Sequence, residues 1–298
     1  MAVVGKSILG NDLDDDNTKL KPRLEMLFKI LHAETFLRYK INPNERFTIW
    51  YGRILGYGER IQKAREVFTE GIARFPDSYR LYRHRGHRYL SHHKIHEALA
   101  DFKKSVELFE AAGAPVEEME TDGVKHRLPI PPETTGFNIY YHCAVAAYLC
   151  DDLPLALDMN KKTFGYCIND EDIVAASDWG YLIRLRMGNK SEADELILKV
   201  SDNLKIEDNV GYYRRIKFYK GLLSYEDMCV IHPEKADEYH RPMVKISQLY
   251  GVAAYYIYTG EIDRGLEILK ECVAENTHFG AFAQIAAEHD IKAFSGVK

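Results

Sequence analysis

Apolar residues recur along this chain at the three-and-four spacing of a buried helix face, in segments parted by Gly, Pro or Asn. Set against itself 34 positions on, the chain matches Gly52 with Gly86, Leu55 with Tyr89, Ala64 with Ala98 and Phe68 with Phe102. Each matched place has a packing reason. Small residues let two antiparallel helices approach closely, and large ones fill the seam to the next pair. Pro76 cannot continue a helix and punctuates the turn between the two copies.

Later copies are degenerate. Tyr140 to Thr163 repeats the spacing with Ala144, Ala147 and Ala156; Ser177 to Val200 turns at Gly188-Asn189, before Ala193; Leu249 to Cys272 turns at Thr259-Gly260-Glu261, with Gly265 in the small place. Tyr212 to Gly221 reads as one helix of a weaker pair, with Pro233 and Pro242 as breaks. Leu24 to Tyr39 and Phe279 to Phe294 read as capping helices. The pattern therefore predicts an all-α chain of about a dozen helices without a sheet. It assigns 1–20 to a flexible acidic segment and 21–298 to one helical repeat domain. The exception is Gly113 to Gly136, which holds Pro115, Pro129, Pro131 and Pro132 without periodicity. This long insertion is expected to border or cover the binding face, anchored by Leu128 and Ile130.

Gly52, Leu55, Ala64, Phe68 and Pro76 fill, in order, the places of the tetratricopeptide pattern: a small residue, a large one, Ala-x-x-x-Phe and a closing Pro. The chain resembles a tetratricopeptide repeat protein over roughly 24–294. The run Phe75-Pro76-Asp77-Ser78-Tyr79-Arg80-Leu81-Tyr82-Arg83-His84-Arg85-Gly86-His87-Arg88-Tyr89-Leu90 is similar to a stretch in an uncharacterised group of such proteins. The resemblance implies an all-α, right-handed α-solenoid of helix pairs with capping helices at both ends. Its concave wall, formed mainly by the first helix of each pair, would hold a peptide or another ligand. No activity comes with it.

In such repeats the second, fifth and ninth places of the first helix face the concave side. They carry Arg46, Ile49 and Arg53, then Arg80, Arg83 and His87, then Asn138, Tyr141 and Val145, and later Asp178, Leu182, Ser247, Tyr250 and Ala254. One turn further on stand Tyr57, Tyr148, Arg186 and Tyr258. The wall expected from this reading is basic at one end and tyrosine-rich at the other. Helical phase sends Tyr140, Tyr255 and Tyr256 to the seams instead. One familiar subtype grips a C-terminal carboxylate with a Lys and Asn clamp, but the corresponding places here carry Ile49, Arg53, Arg83 and His87.

Charge sharpens the picture locally. The chain has 40 Lys and Arg against 45 Asp and Glu, so no global excess draws it to nucleic acid. Arg46 to Arg88 nevertheless holds nine Arg and one Lys against Glu59, Glu66, Glu70 and Asp77. Arginine forks suit carboxylates and phosphates, so the segment is a candidate anion site. The competing reading pairs those arginines with acids on neighbouring helix turns.

Other signals are weaker. His87, beside Arg83, is a candidate acid or base with a lowered pKa, or simply a hydrogen-bonding groove residue. His92 and His96 have a metal-compatible spacing, but they straddle a turn expected to be exposed, and no carboxylate or Cys completes a set nearby. Asp12-Leu13-Asp14-Asp15-Asp16 opens like a calcium loop yet has Asn17 where Gly is needed and Arg23 where Glu is needed. It reads as a solvated acidic stretch. No phosphate-cradling Gly-rich motif occurs. Metals and cofactors are not expected.

Cys143, Cys150, Cys167, Cys229 and Cys272 are odd in number and lack C-x-x-C pairing, which points to reduced thiols and a cytoplasmic setting. Residues 1–10 are too short and interrupted for a signal segment, and no later run has membrane-spanning length.

Two function classes follow. The first is a noncatalytic binding module recognising a peptide or a small anionic or aromatic ligand. The second is a cofactor-independent biosynthetic isomerase or cyclase, with His87, Tyr141 and Asp178 as acid-base groups and Arg53 or Arg83 stabilising negative charge.

Overall fold

Helix starts fall where short polar side chains can cap them. Asn44 accepts from the Phe47 N–H (2.9 Å), Ser78 from the Leu81 N–H (3.2 Å) and Asn169 from the Asp172 N–H (2.8 Å). Helix stops fall at residues that tolerate the left-handed region, such as Gly188 (φ 79°) and Gly260 (φ 106°). The computed structural model describes residues 3–14, 22–58, 60–120, 133–231, 241–275 and 279–296. Leu128, Ile130 and Pro233 lie outside the described residues.

Residue contacts sort the chain into two compact units, Met1–Lys6 with Asp12–Ala146, and Ser7–Asn11 with Ala147–Lys298. Among the described residues the first holds α1 (Pro22–Ile41), α2 (Glu45–Tyr57), α3 (Ile61–Arg74), α4 (Tyr79–Leu90), α5 (Ile95–Ala111) and most of α6 (Thr135–Leu149). α2 packs on α3 and α4 on α5, the pairing the 34-residue offset predicts. Ala64 and Ala98 are fully buried, and the rings of Phe68 and Phe102 press on Gly52 and Gly86, where an added Cβ would approach them to 2.4 and 3.0 Å. Tyr39, Ile49, Tyr51, Leu55, Val67 and Leu81 complete this core.

The second unit contains α7 (Leu153–Thr163), α8 (Asp170–Arg186), α9 (Lys190–Leu198), α10 (Val210–Tyr219), α11 (Tyr225–Cys229), α12 (Arg241–Tyr258), α13 (Ile262–Glu275) and α14 (Phe282–Phe294). α8 packs on α7, α9, α10 and α12, and α12 on α13 and α14. Fourteen helices are thus present among the described residues, adjacent ones packed in pairs. None is long and apolar enough to cross a membrane. Pro242 does not break a helix but sits in the first turn of α12, where its missing N–H costs no bond.

The expectation of no sheet is corrected. β1 (Val3–Lys6) pairs antiparallel with β2 (Asp12–Asp14) around Gly10, which adopts φ +86°. Strands of four and three residues are too short for an alternating pattern to stand out. Leu13, read as part of a solvated stretch, is 1% exposed.

Candidate functional site

Three helices of the first unit converge on one cavity of about 240 Å³. α2 supplies Arg53 and Tyr57, one turn apart; α4 supplies Arg83, His84, His87 and Arg88; α6 supplies Phe137, Asn138, Tyr141 and His142. Phe68 of α3 and Glu133, just before α6, complete the lining. The spacing on α6 places its four residues on one face at i, i+1, i+4 and i+5. Arg53, Tyr57, Arg83, His87, Asn138 and Tyr141, six of the candidates read from sequence, meet here. Rings form much of the wall: Phe137 stacks on Tyr141 (5.3 Å between centroids), Phe68 on His84 (5.6 Å), and His87 lies against His142 (4.8 Å).

The hydrogen bonds fix the histidine tautomers, because a guanidinium only donates and a carbonyl only accepts. Arg83 Nη1 donates to His84 Nδ1 and Arg88 Nη2 to His87 Nδ1, both at 2.8 Å, which leaves the proton of each neutral ring on Nε2. His142 is the reverse, with Nδ1 donating to the Asn138 carbonyl at 2.6 Å. All three rings are held well below the ordinary histidine value, chiefly by burial and then by the surrounding arginines and one another. The lowering expected at His87 from positive charge is present, but burial is its larger cause. The site is therefore a set of neutral rings among fixed cations.

Those cations are unevenly compensated. Glu120 pairs with Arg53 at 3.1 Å, reaches Arg83 at 4.0 Å and faces His84 Nε2 at 3.8 Å. Arg83 also donates to Asn138 Oδ1, whose amide nitrogen donates to Glu133 at 2.9 Å. Arg88 differs. The groups that act on it among the described residues include Tyr57, Arg53, Arg83 and the rings of His84, His87, His92 and His142, with no carboxylate among them. Burial pulls its pKa down to about 10. Arg88 is half-buried, and its guanidinium lines the cavity.

A second cavity, of about 160 Å³, is lined by Glu45, Arg46, Ile49, Trp50, Arg80, His84 and Glu120. Arg46 lies over the Trp50 ring at 4.4 Å, while Arg80 pairs with Glu118 at 2.7 Å. Glu118, Glu120 and Glu133 belong to the predicted insertion; Glu133 lines the first cavity, Glu120 the second, and Glu118 pairs with Arg80. Elsewhere in the basic segment Arg85 grips the buried Asp101 of α5 with two bonds of 2.7 Å, while Arg74 reaches Glu70, one turn away on its own helix, at 3.9 Å.

The remaining candidates lie in the second unit and do not form an open wall. Asp178 is fully buried against Arg215 at 2.5 Å, and burial pushes its carboxyl up to about 7 against the pull of that arginine. Asp178 belongs to the second unit, whereas His87 and Tyr141 line the cavity of the first. Tyr148 and Tyr250, expected on the concave side, are 0% exposed. Their hydroxyls meet at 2.9 Å, and Asp290 accepts from Tyr250 (3.1 Å) and Tyr258 (2.9 Å). Arg186 covers the Tyr148 ring and donates to its carbonyl at 2.8 Å. The physical reason is plain in α8, where every residue from Val174 to Leu185 is buried. A helix packed on all sides has no exposed stripe to read.

The turn at His92 is also corrected: His92 and His93 are buried, and burial with nearby Arg65 takes His92 down to about 3. Among the described residues no group of three or more His, Cys, Asp or Glu could hold a metal ion.

His84, Arg88, Glu120, Glu133, Phe137 and His142 were missed. The phase rule kept one stripe of α4, whereas the cavity takes two neighbouring ones. The signal for Arg88 was Gly56 on α2, since an added Cβ there would lie 2.5 Å from Arg88 Nη1. No protein-family model matches the chain, and a search of the curated proteins finds no match either.

Proposed function

We propose that this chain is a noncatalytic binding module of tetratricopeptide type whose first unit takes up an anionic group, on a small ligand or a peptide, in the cavity between α2, α4 and α6. The repeat reading is supported by the close approach of Gly52 to Phe68 and of Gly86 to Phe102, 34 residues on. The observation that carries the binding reading is Arg88, a half-buried guanidinium in the cavity wall with no ion pair to a carboxylate among the described residues that act on it. The rings of Phe137 and Tyr141 beside it suit an apolar or aromatic body behind the anionic head.

Calorimetric titration with benzoate and with inorganic phosphate tests this. Arg88→Met is expected to weaken binding by about tenfold or more, the worth of a charge-assisted hydrogen bond. Equal affinity in wild type and variant would contradict the assignment.

A further inference from the structure

The short stretch Glu118-Met119-Glu120 forms an isolated antiparallel bridge with Glu133-Thr134-Thr135 beside the arginine-bearing helices. Met119 bridges Thr134 in antiparallel fashion; the Glu120 N–H donates to the Glu133 carbonyl (3.0 Å) and the Thr135 N–H to the Glu118 carbonyl (2.7 Å). In extended backbone, side chains two apart point to one side, with about 6.6 Å between them. The two carboxylates use that period. Glu118 takes Arg80 at 2.7 Å and the Tyr79 hydroxyl at 2.6 Å; Glu120 takes Arg53 at 3.1 Å and reaches Arg83 at 4.0 Å. Arg80 and Arg83 stand three apart on α4, about 5–6 Å between their Cβ atoms, which matches the rungs of the strand.

No buried apolar residue of its own anchors this segment. From Ala111 to Glu120 no residue is buried, although the carboxylate of Glu120 is, with its side chain 4% exposed. The segment is held by ion pairs, by the Tyr79 hydroxyl on Glu118 and by two backbone hydrogen bonds, so its release turns on whether another carboxylate replaces Glu120 beside Arg53 and Arg83. The arginines, in contrast, belong to a packed helix pair and need a counter-charge whether or not this strand supplies it.

We infer that the Arg80, Arg83 and Arg53 rungs are a docking surface for an extended acidic segment of a partner protein with carboxylates at i and i+2, and that the chain's own Glu118-x-Glu120 occupies it as an internal stand-in. This rests on reading the arginine wall as an anion-binding surface, and it adds what the partner presents there. Recognition is by strand addition: backbone pairing supplies affinity and the two-residue carboxylate period supplies specificity. The internal copy competes at an effective concentration on the order of millimolar, so only a partner with more than the bare motif would displace it.

The probe is a fluorescein-labelled peptide of this chain's residues 115–120, with a control carrying Gln at the positions of Glu118 and Glu120. Fluorescence anisotropy is expected to show the peptide binding the E118Q/E120Q double variant about tenfold or more tighter than wild type, since the competitor is removed. Binding should weaken with added salt, and the control peptide should not bind. Equal, or no, binding to the folded double variant would overturn the inference. Should the double variant fail to fold, hydrogen exchange at the Glu120 and Thr135 amides of the wild-type protein takes its place. Acceleration on adding excess peptide supports displacement, and unchanged protection under saturating peptide overturns it. Benzoate binding through Arg88 is scored separately: its survival alongside absent peptide binding sinks this inference alone, and its loss alongside peptide binding sinks the small-anion reading alone.

Discussion

The guanidinium of Arg88 lies across Gly56, so close that a Cβ on that glycine would stand 2.5 Å from Nη1. The clash would fall on the far end of a flexible side chain, which can swing away, rather than on backbone. Gly56→Ala should therefore leave the melting temperature unchanged or raise it, because Ala in a helix interior gains up to about 1 kcal/mol over Gly. The same substitution should weaken benzoate binding by displacing Arg88. A variant with a lowered melting point and intact affinity would contradict this.

Gly52 is the opposite case, because its neighbour is the fully buried Phe68 ring, 2.4 Å from an added Cβ. Gly52→Ala and Ala98→Leu should each overpack a helix seam at a cost of about 1–3 kcal/mol. Thermal melting checks both, and an unchanged midpoint for Ala98→Leu would mean the repeat register is wrong.

Asp178 and Arg215 form an ion pair with both side chains 0% exposed. Asp178→Asn leaves the arginine charge buried alone and should cost about 3–5 kcal/mol. Asp178→Leu combined with Arg215→Met removes both charges and should recover much of that loss. Chemical denaturation of the two variants separates the outcomes. Equal destabilisation in both would mean that packing, and not charge, sets the cost.

Four histidines of the first unit, His84, His92 and His142 buried and His87 half-buried, give stability a pH dependence of definite sign. His84, His87 and His142 lie well below their ordinary value of 6.5, and His92 is at about 3. Below pH 6.5 the unfolded chain takes protons that the folded one refuses, so stability falls as pH falls from there. Asp178, raised to about 7, and Asp101, also raised by burial, work in the other direction, while a lowered His32 adds to the histidines. The urea midpoint should be lower at about pH 5.5 than at about pH 7.5, and changing all four histidines to Gln should flatten the difference. A midpoint that does not move in wild type would contradict the burial of these rings.

Paired helices were legible because Gly52, Ala64, Phe68 and their partners 34 residues on each do one packing job, and that job leaves a periodic mark. The hairpin was not, since strands this short leave no period. Half of the cavity was legible through the wall places of α2, α4 and α6. His84 and Arg88 were not, because Gly86 and Leu90 pack the opposite side so tightly that two adjacent stripes of α4 are left to face the cavity. In α8 the same rule failed for a different reason, as burial on all sides turns Asp178 and Leu182 into core. The carboxylates at Glu118, Glu120 and Glu133 lay in a segment whose proline-rich composition announces a loop and says nothing of which residues it turns inward.

The most direct measurement is a crystal structure of the protein soaked in 4-bromobenzoate, with bromine located by anomalous scattering. The account predicts a bromine peak inside the cavity beside Phe137 and Tyr141, with the carboxylate hydrogen-bonded to Arg88. A saturated crystal with no peak there, or with the carboxylate bound away from Arg88, would contradict it.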